Sequence, residues 1–258
     1  MTARAGATAI AAIAVLAGAA ALVVPAIDER SAGRMLVAPP TPAPRANVPR
    51  APARRGGGWA TQGPFGARLT RTAMLRDRPG GRILRAIGPR TEFGSEHVLA
   101  VVAQRPGWLG VLTHHVANSQ TAWIPSDAAQ ILFEPYTLHA DLSRRRLVVY
   151  REGRVVRRIA IAIGRPGTAT PTGRFAVTDA LVTGRAGSPY GCCALALSGR
   201  QPNVPQGWTG GDRLAIHGTP NEATIGTPAS SGCLRAAEAD MRWLIATVPL
   251  GARLQITA

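Results

Sequence analysis

The sequence contains no lysine: all thirty of its basic residues are arginine, against fourteen acidic residues. With abundant Ala, Gly and Pro, this has the look of GC-rich codon usage, so a single arginine carries little chemical meaning by itself. The formal charge of +16 admits nucleic acid, anionic membrane or anionic wall polymer as a partner. The excess is spread along the chain, with no helix-sized basic block, zinc spacing or aromatic-basic RNA motif, so no nucleic-acid partner is expected. Cysteine is scarce as well: Cys192, Cys193 and Cys233. An odd count with two adjacent members excludes the even, spaced framework of small disulfide-held exported domains. Cys192 and Cys193 read as two small buried hydrophobes ahead of a strand. At least one thiol stays free, which outside the cytoplasm asks for a functional explanation.

Long apolar runs are limited to one. Residues 5–27 are uncharged and mostly apolar, preceded by Arg4 and followed by Asp28-Glu29. The run is long enough to span a hydrocarbon core, with flanking charge that fits a cytoplasmic N-terminus. The alternative is a cleaved signal peptide, with exits such as Ala19 and Ala21. Signal peptide or membrane anchor, residues 1–27 would export the chain, leaving it secreted or held in the cytoplasmic membrane on the wall or periplasmic side. Residues 28–58, rich in Pro, Ala and Arg and ending in Gly56-Gly57-Gly58, cannot bury a core and read as an extended tether.

From Trp59 the texture changes. Short runs at Ile83–Ile87, Val98–Ala103, Trp108–Leu112 and Ala122–Ile124, separated by turn residues, predict a small antiparallel barrel over 59–132. Pro106-Gly107-Trp108-Leu109-Gly110-Val111 followed by Thr121-Ala122-Trp123-Ile124-Pro125 resembles bacterial SH3-like domains attached to wall enzymes. His97, His114 and His115 have no acidic or cysteine partner at metal spacing, so no metal site is expected.

A second segment covers 136–258. Arg146–Tyr150, the turn Arg151-Glu152-Gly153, and Arg154–Ile163 read as a hairpin. Gly164 to Gly173 is a Gly/Pro/Thr loop before a strand at Phe175–Thr178. A further strand, Leu214–Ile216, delivers His217 at its end. After Cys233, apolar residues at 234, 237, 241, 244, 245 and 248 keep helical spacing until Pro249, and Leu254–Ile256 closes the chain as a strand.

The chemistry sits in Ile216-His217-Gly218-Thr219 and Ser230-Ser231-Gly232-Cys233-Leu234-Arg235. A cysteine attacks a carbonyl only as thiolate, and a free thiol with a pKa near ~8.5 supplies little of it at neutral pH. A nearby histidine can take the proton, and the start of a helix immediately after Cys233 would favour negative charge. Backbone N–H groups at the turn can hold an oxyanion, and Gly232 lets the backbone approach the scissile carbonyl.

This arrangement resembles the L,D-transpeptidase, or YkuD-domain, family: a His-Gly pair, a gap of similar length, then Ser/Thr-His-Gly-Cys, an apolar residue and Arg or Asn. The likeness extends to Leu147–Tyr150 with Gly153, to Gly164-Arg165-Pro166-Gly167 through Thr170–Phe175, and to Asp240 and Pro249-Leu250-Gly251. One position departs, since Ser231 stands where the family usually has histidine. The resemblance implies a mostly-β fold, a small SH3-like barrel followed by a YkuD-type β-sandwich with a short helix after the catalytic cysteine. It implies Cys233 as nucleophile and His217 as base. Gly218 would orient the imidazole, Gly232 would supply an oxyanion donor, and Ser231 and Arg235 would support. The implied substrate is the peptidoglycan stem peptide, the implied inhibitors are carbapenems, and no cofactor is needed. L,D-carboxypeptidase action, or wall binding without catalysis, are the alternatives.

Overall fold

The structure, a computed structural model, describes residues 65–183, 187–204 and 211–258. The leader and tether read from the sequence lie outside these residues. Among the described residues no helix is long and apolar enough to cross a membrane.

The first half is a seven-stranded antiparallel sheet. It comprises β1 (Phe65–Leu69), β2 (Ala73–Arg76), β3 (Ile83–Ile87), β4 (Val98–Arg105), β5 (Trp108–Leu112), β6 (Thr121–Pro125) and β7 (Ala129–Phe133), ordered β3-β2-β6-β5-β4-β1-β7. The alternation expected of a half-buried strand is plain in β6, where Ala122 and Ile124 point inward and their neighbours do not. Leu75, Leu99, Val101, Val111 and Ile124 form its core.

The second half is built from β8 (Tyr136–Asp141), β9 (Arg146–Arg151), β10 (Arg154–Ala160), β11 (Ile163–Gly164), β12 (Gly173–Val182), β13 (Cys193–Arg200), β14 (Arg213–His217), β15 (Pro228–Ser230), β16 (Leu234–Arg235), α1 (Glu238–Thr247) and β17 (Arg253–Thr257). Eight strands form one sheet, β10-β9-β8-β17-β12-β13-β14-β16, and β11 pairs with β15 separately. Among the described residues the fold is therefore mostly β with one short α-helix, as the sequence patterns indicate. The β9–β10 turn places Glu152 and Gly153 at φ 50° and 78°, the left-handed pair that a tight hairpin requires. Helix α1 covers one end of the core through Met241 and Leu244. Arg157 on β10 fixes it from outside, donating Nε and Nη2 to Asp240 Oδ1 at 2.9 and 2.6 Å.

Two expectations change. The helical spacing that starts at Leu234 does not begin a helix there, because Leu234–Arg235 joins the sheet beside β14 and α1 starts only at Glu238. Arg235 N–H donates to Ala162, Ala236 N–H donates to His217, and Leu234 fills the core. Ladder bonds and burial of one side chain outweigh the apolar spacing, so Cys233 has no helix N-terminus behind it. The second change concerns Cys192 and Cys193, which are joined to one another and are not two separate buried thiols. Cys233 is the free cysteine.

Candidate active site

Strand β14 lies between β13 and β16, and its register sets the site. Ile216 stands opposite Leu234 and His217 opposite Arg235 in a parallel pair. Ile216 and Leu234 both point into the core, at 0 and 1 % exposure. Side chains alternate along paired strands, so His217, Arg235 and Cys233, which precedes Leu234, share the opposite face. That face forms a cavity of about 240 Å³ lined by His217, Cys233, Ser231, Arg235, Tyr190 and Arg213 among others. A larger cavity of about 590 Å³ lies beside Glu238 and the joined Cys192–Cys193 pair, and holds no free thiol.

His217 is buried, and its Nδ1 lies 2.6 Å from the Gly218 carbonyl. That acceptor requires Nδ1 to carry the hydrogen, leaving Nε2 as the basic nitrogen. Gly218 is fixed in turn, its N–H donating to the Cys193 carbonyl at 3.1 Å. Glu238 packs against Gly218 and Gly191, leaving no room for a Cβ at either, and accepts the Cys192 N–H. Burial pushes the His217 imidazole down to about 4, partly countered by the Gly218 carbonyl and assisted by the Arg235 guanidinium.

The Cys233 thiol is raised above its ordinary range by burial, against the pull of the Ala215 backbone and of Arg235. Its hydrogen bond runs to the Arg213 carbonyl at 3.9 Å. Both shifts favour the uncharged forms, a neutral thiol and a neutral imidazole.

The turn before Cys233 is held from both sides. Ser230 Oγ donates to the Cys233 carbonyl at 2.6 Å and accepts the Gly232 N–H at 3.1 Å. The Gly232 N–H is thus engaged by Ser230, and the glycine supplies space. Its φ is 120°, and a Cβ there would overlap Gln201 Nε2. Gln201 is itself buried and donates Nε2 to the carbonyls of Thr168, Ala169 and Ser231, tying the Gly/Pro/Thr loop to the nucleophile turn. Gly232→Ala should cost about 1–3 kcal/mol through backbone strain alone and slow modification of Cys233. Thermal unfolding together with the acylation rate checks this, and wild-type behaviour in both would show that the turn tolerates a side chain.

Sequence reasoning named His217, Cys233, Ser231 and Arg235, and the structure brings all four to one cavity. Three further residues went unassigned: Gln201, Glu238 and Tyr190, whose ring meets His217 edge-on at 5.0 Å. Burial, and then the nearby Cys233, raise the Tyr190 phenol. Ser188-Pro189-Tyr190-Gly191 was visible as a loop, but nothing local ties that loop to a histidine 27 positions later.

Residues 135–256 match the model of the YkuD family, described as the L,D-transpeptidase catalytic domain. Over 133 residues the chain is 30 % identical to the candidate L,D-transpeptidase YqjB of Bacillus subtilis, covering 48 % of this chain and 72 % of that protein. The chain belongs to the YkuD family of L,D-transpeptidases. It is also 33 % identical over 123 residues to the candidate L,D-transpeptidase YkuD of Bacillus licheniformis, and it spans 66 % of that relative's length. Among solved structures, L,D-transpeptidase 3 of Mycobacterium tuberculosis aligns at 15 % identity over 54 % of this chain and 74 % of that one, with a TM-score of 0.41.

In this YkuD-family chain the residue before Gly232 is Ser231. Its carbonyl is held by Gln201 and its side chain borders the cavity. Ser231→Ala deletes at most one neutral hydrogen bond, worth about 0.5–1.5 kcal/mol, so acylation should slow about tenfold or less. Ser231→His should be tolerated. A loss with Ser231→Ala as large as that with His217→Ala would make the serine part of the proton relay.

Proposed function

We propose that this chain is a peptidoglycan L,D-transpeptidase that forms 3→3 cross-links through a thioester on Cys233. The observation that carries the reading is the placement of a free, cavity-facing cysteine on the same sheet face as a histidine whose Nδ1 is locked by a backbone carbonyl. His217 Nε2 takes the thiol proton as sulfur attacks the carbonyl of the third stem residue, a diamino acid. The oxyanion that develops is met by the Cys233 N–H. The tetrahedral intermediate collapses as the imidazolium protonates the departing amine of terminal D-alanine. The side-chain amine of a neighbouring stem then attacks the thioester, gives a proton to His217, and restores the thiol.

Arg235 suits a substrate that carries a carboxylate. Its Nε is buried and finds no hydrogen-bond partner among the described residues. Its positive charge also favours the Cys233 thiolate and disfavours a charged His217. The reaction belongs outside the cytoplasm, with residues 1–27 as exporting segment, 28–58 as tether, 59–132 as an SH3-like part engaging the wall, and 136–258 as the catalytic domain.

The test is mass spectrometry of the protein after exposure to a carbapenem, followed by muropeptide analysis with purified stems. A covalent adduct and cross-linked dimers are expected. Trimmed tripeptides without dimers would make the chain a carboxypeptidase, and neither adduct nor product would leave only wall binding.

A further inference from the structure

Arg213 opens β14 and lines the catalytic cavity, with 14 % of its side chain exposed. Its backbone carbonyl is the acceptor for the Cys233 thiol. Its guanidinium donates Nε to the Leu197 carbonyl at 3.1 Å and Nη2 to Thr178 Oγ1 at 2.8 Å, and lies 3.9 Å from the wholly buried Asp179 carboxylate. The remaining nitrogen, Nη1, leaves the catalytic sheet and pairs with Glu92. Glu92 belongs to the loop between β3 and β4 of the first sheet, and its neighbours reach the same place. Thr91 donates its hydroxyl to Asp179 Oδ1, and the Phe93 ring lies 5.9 Å from the Arg213 guanidinium carbon.

Three consecutive residues of one sheet thus seat on one buried ion pair of the other, directly behind the wall that holds the nucleophile. The same edge is held a second time. Arg200 pairs with Asp212 and donates Nε to the His114 carbonyl, while its backbone N–H and C=O are both bonded by the Asn118 side chain. An attachment whose only task is to bind wall polymer would not need its partner's active-site wall. Glu92 is 44 % exposed, so its pair with Arg213 is only partly buried, whereas Asp179 is wholly buried and depends on Arg213 for its counter-charge.

We propose that Thr91, Glu92 and Phe93 form a clamp, supplied by the first sheet, that positions Arg213 and through its carbonyl the Cys233 thiol. The first sheet is then a working part of the catalytic unit. The proposal rests on reading Cys233 as the nucleophile. Charged and titratable groups around the Arg213–Glu92 pair are Asp179 from β12, Arg200 from β13, and His97, His114 and His115 from the first sheet, His114 Nε2 lying 3.4 Å from Glu92. Those around the thiol are Arg235, His217 and Tyr190.

The experiment uses the full chain with Glu92→Gln and Glu92→Asp. Two rates are followed: carbapenem acylation, and alkylation of Cys233 by iodoacetamide across pH, with folding checked by thermal unfolding. Glu92→Gln removes one of the two carboxylates that face Arg213, Asp179 remaining, so acylation should fall about tenfold, as for loss of a charge-assisted bond. The alkylation profile should change as well, because the Arg213 carbonyl that accepts the thiol moves with its side chain. Glu92→Asp keeps the charge, so its alkylation profile should stay with wild type while acylation falls by less. Wild-type rates and profiles in both variants would overturn the proposal. So would a purely structural pattern, in which both variants lower the melting temperature and neither moves the alkylation profile. Alkylation does not depend on transpeptidase chemistry, so failure of wild type to react with carbapenem would count against the proposed function and leave the clamp testable.

Discussion

Cys233→Ala should remove every covalent carbapenem adduct, taking acylation from complete labelling to none. Cys192 and Cys193 are joined to each other and Cys233 is free, so no other sulfur can substitute for it. Of the hydroxyls near it, the Tyr190 phenol is raised and Ser230 Oγ donates to the Cys233 carbonyl, while Ser231 offers only an ordinary alcohol, a far weaker nucleophile than a thiol. Intact-mass measurement before and after exposure, without reductant, checks the result. A persisting adduct in the alanine variant would locate the nucleophile elsewhere and end the assignment. Loss of a half-buried thiol to a smaller side chain leaves the ladder between β14 and β16 in place, so the variant should stay folded.

His217→Ala should slow acylation by roughly 10²–10⁴-fold, the range for loss of a general base. The thiol it serves is raised by burial, so little thiolate is present to react unaided near neutral pH. The pH dependence of wild type follows from the same burial. The imidazole titrates at about 4, so the basic form is lost only as pH falls through that value. At about pH 5.5 an ordinary histidine would be neutral in about a tenth of molecules, whereas His217 should keep acylation near its plateau. An acid limb near the ordinary histidine range would contradict the buried environment.

Stability moves in the same direction. A histidine whose folded value lies below its unfolded one leaves the folded state with fewer bound protons, so stability is lost as pH falls from the ordinary range toward the folded value. Burial lowers His97, His114 (to about 2) and His115 (to about 4) as well as His217. The rate profile therefore has to be read at pH values where thermal unfolding shows the chain intact.

The strand at β5 could be read from its residues with its limits unchanged, because the turn at Gly107 opens a short apolar run there and the polar Thr113-His114-His115 closes it. Strand β12 could not. The sequence suggested Phe175–Thr178, whereas the strand runs Gly173–Val182, since the partners that extend it, β13 and β17, lie far off in the chain. The helix after Cys233 was misplaced for a related reason: spacing at 234 and 237 fits a helix, but pairing with β14 claims that backbone first.

The sequence alone determined the fold class and marked the two residues proposed to carry the chemistry. Those features rest on local pattern and on side-chain types whose reactivity belongs to the residue itself. Only the tertiary structure decided what surrounds them: Gln201 under the Gly232 turn, Glu238 behind Gly218, Tyr190 against His217, and the Thr91-Glu92-Phe93 loop seated on Arg213. Each of these contacts joins positions distant in sequence, and its chemistry arises from burial and proximity, which no window of residues contains.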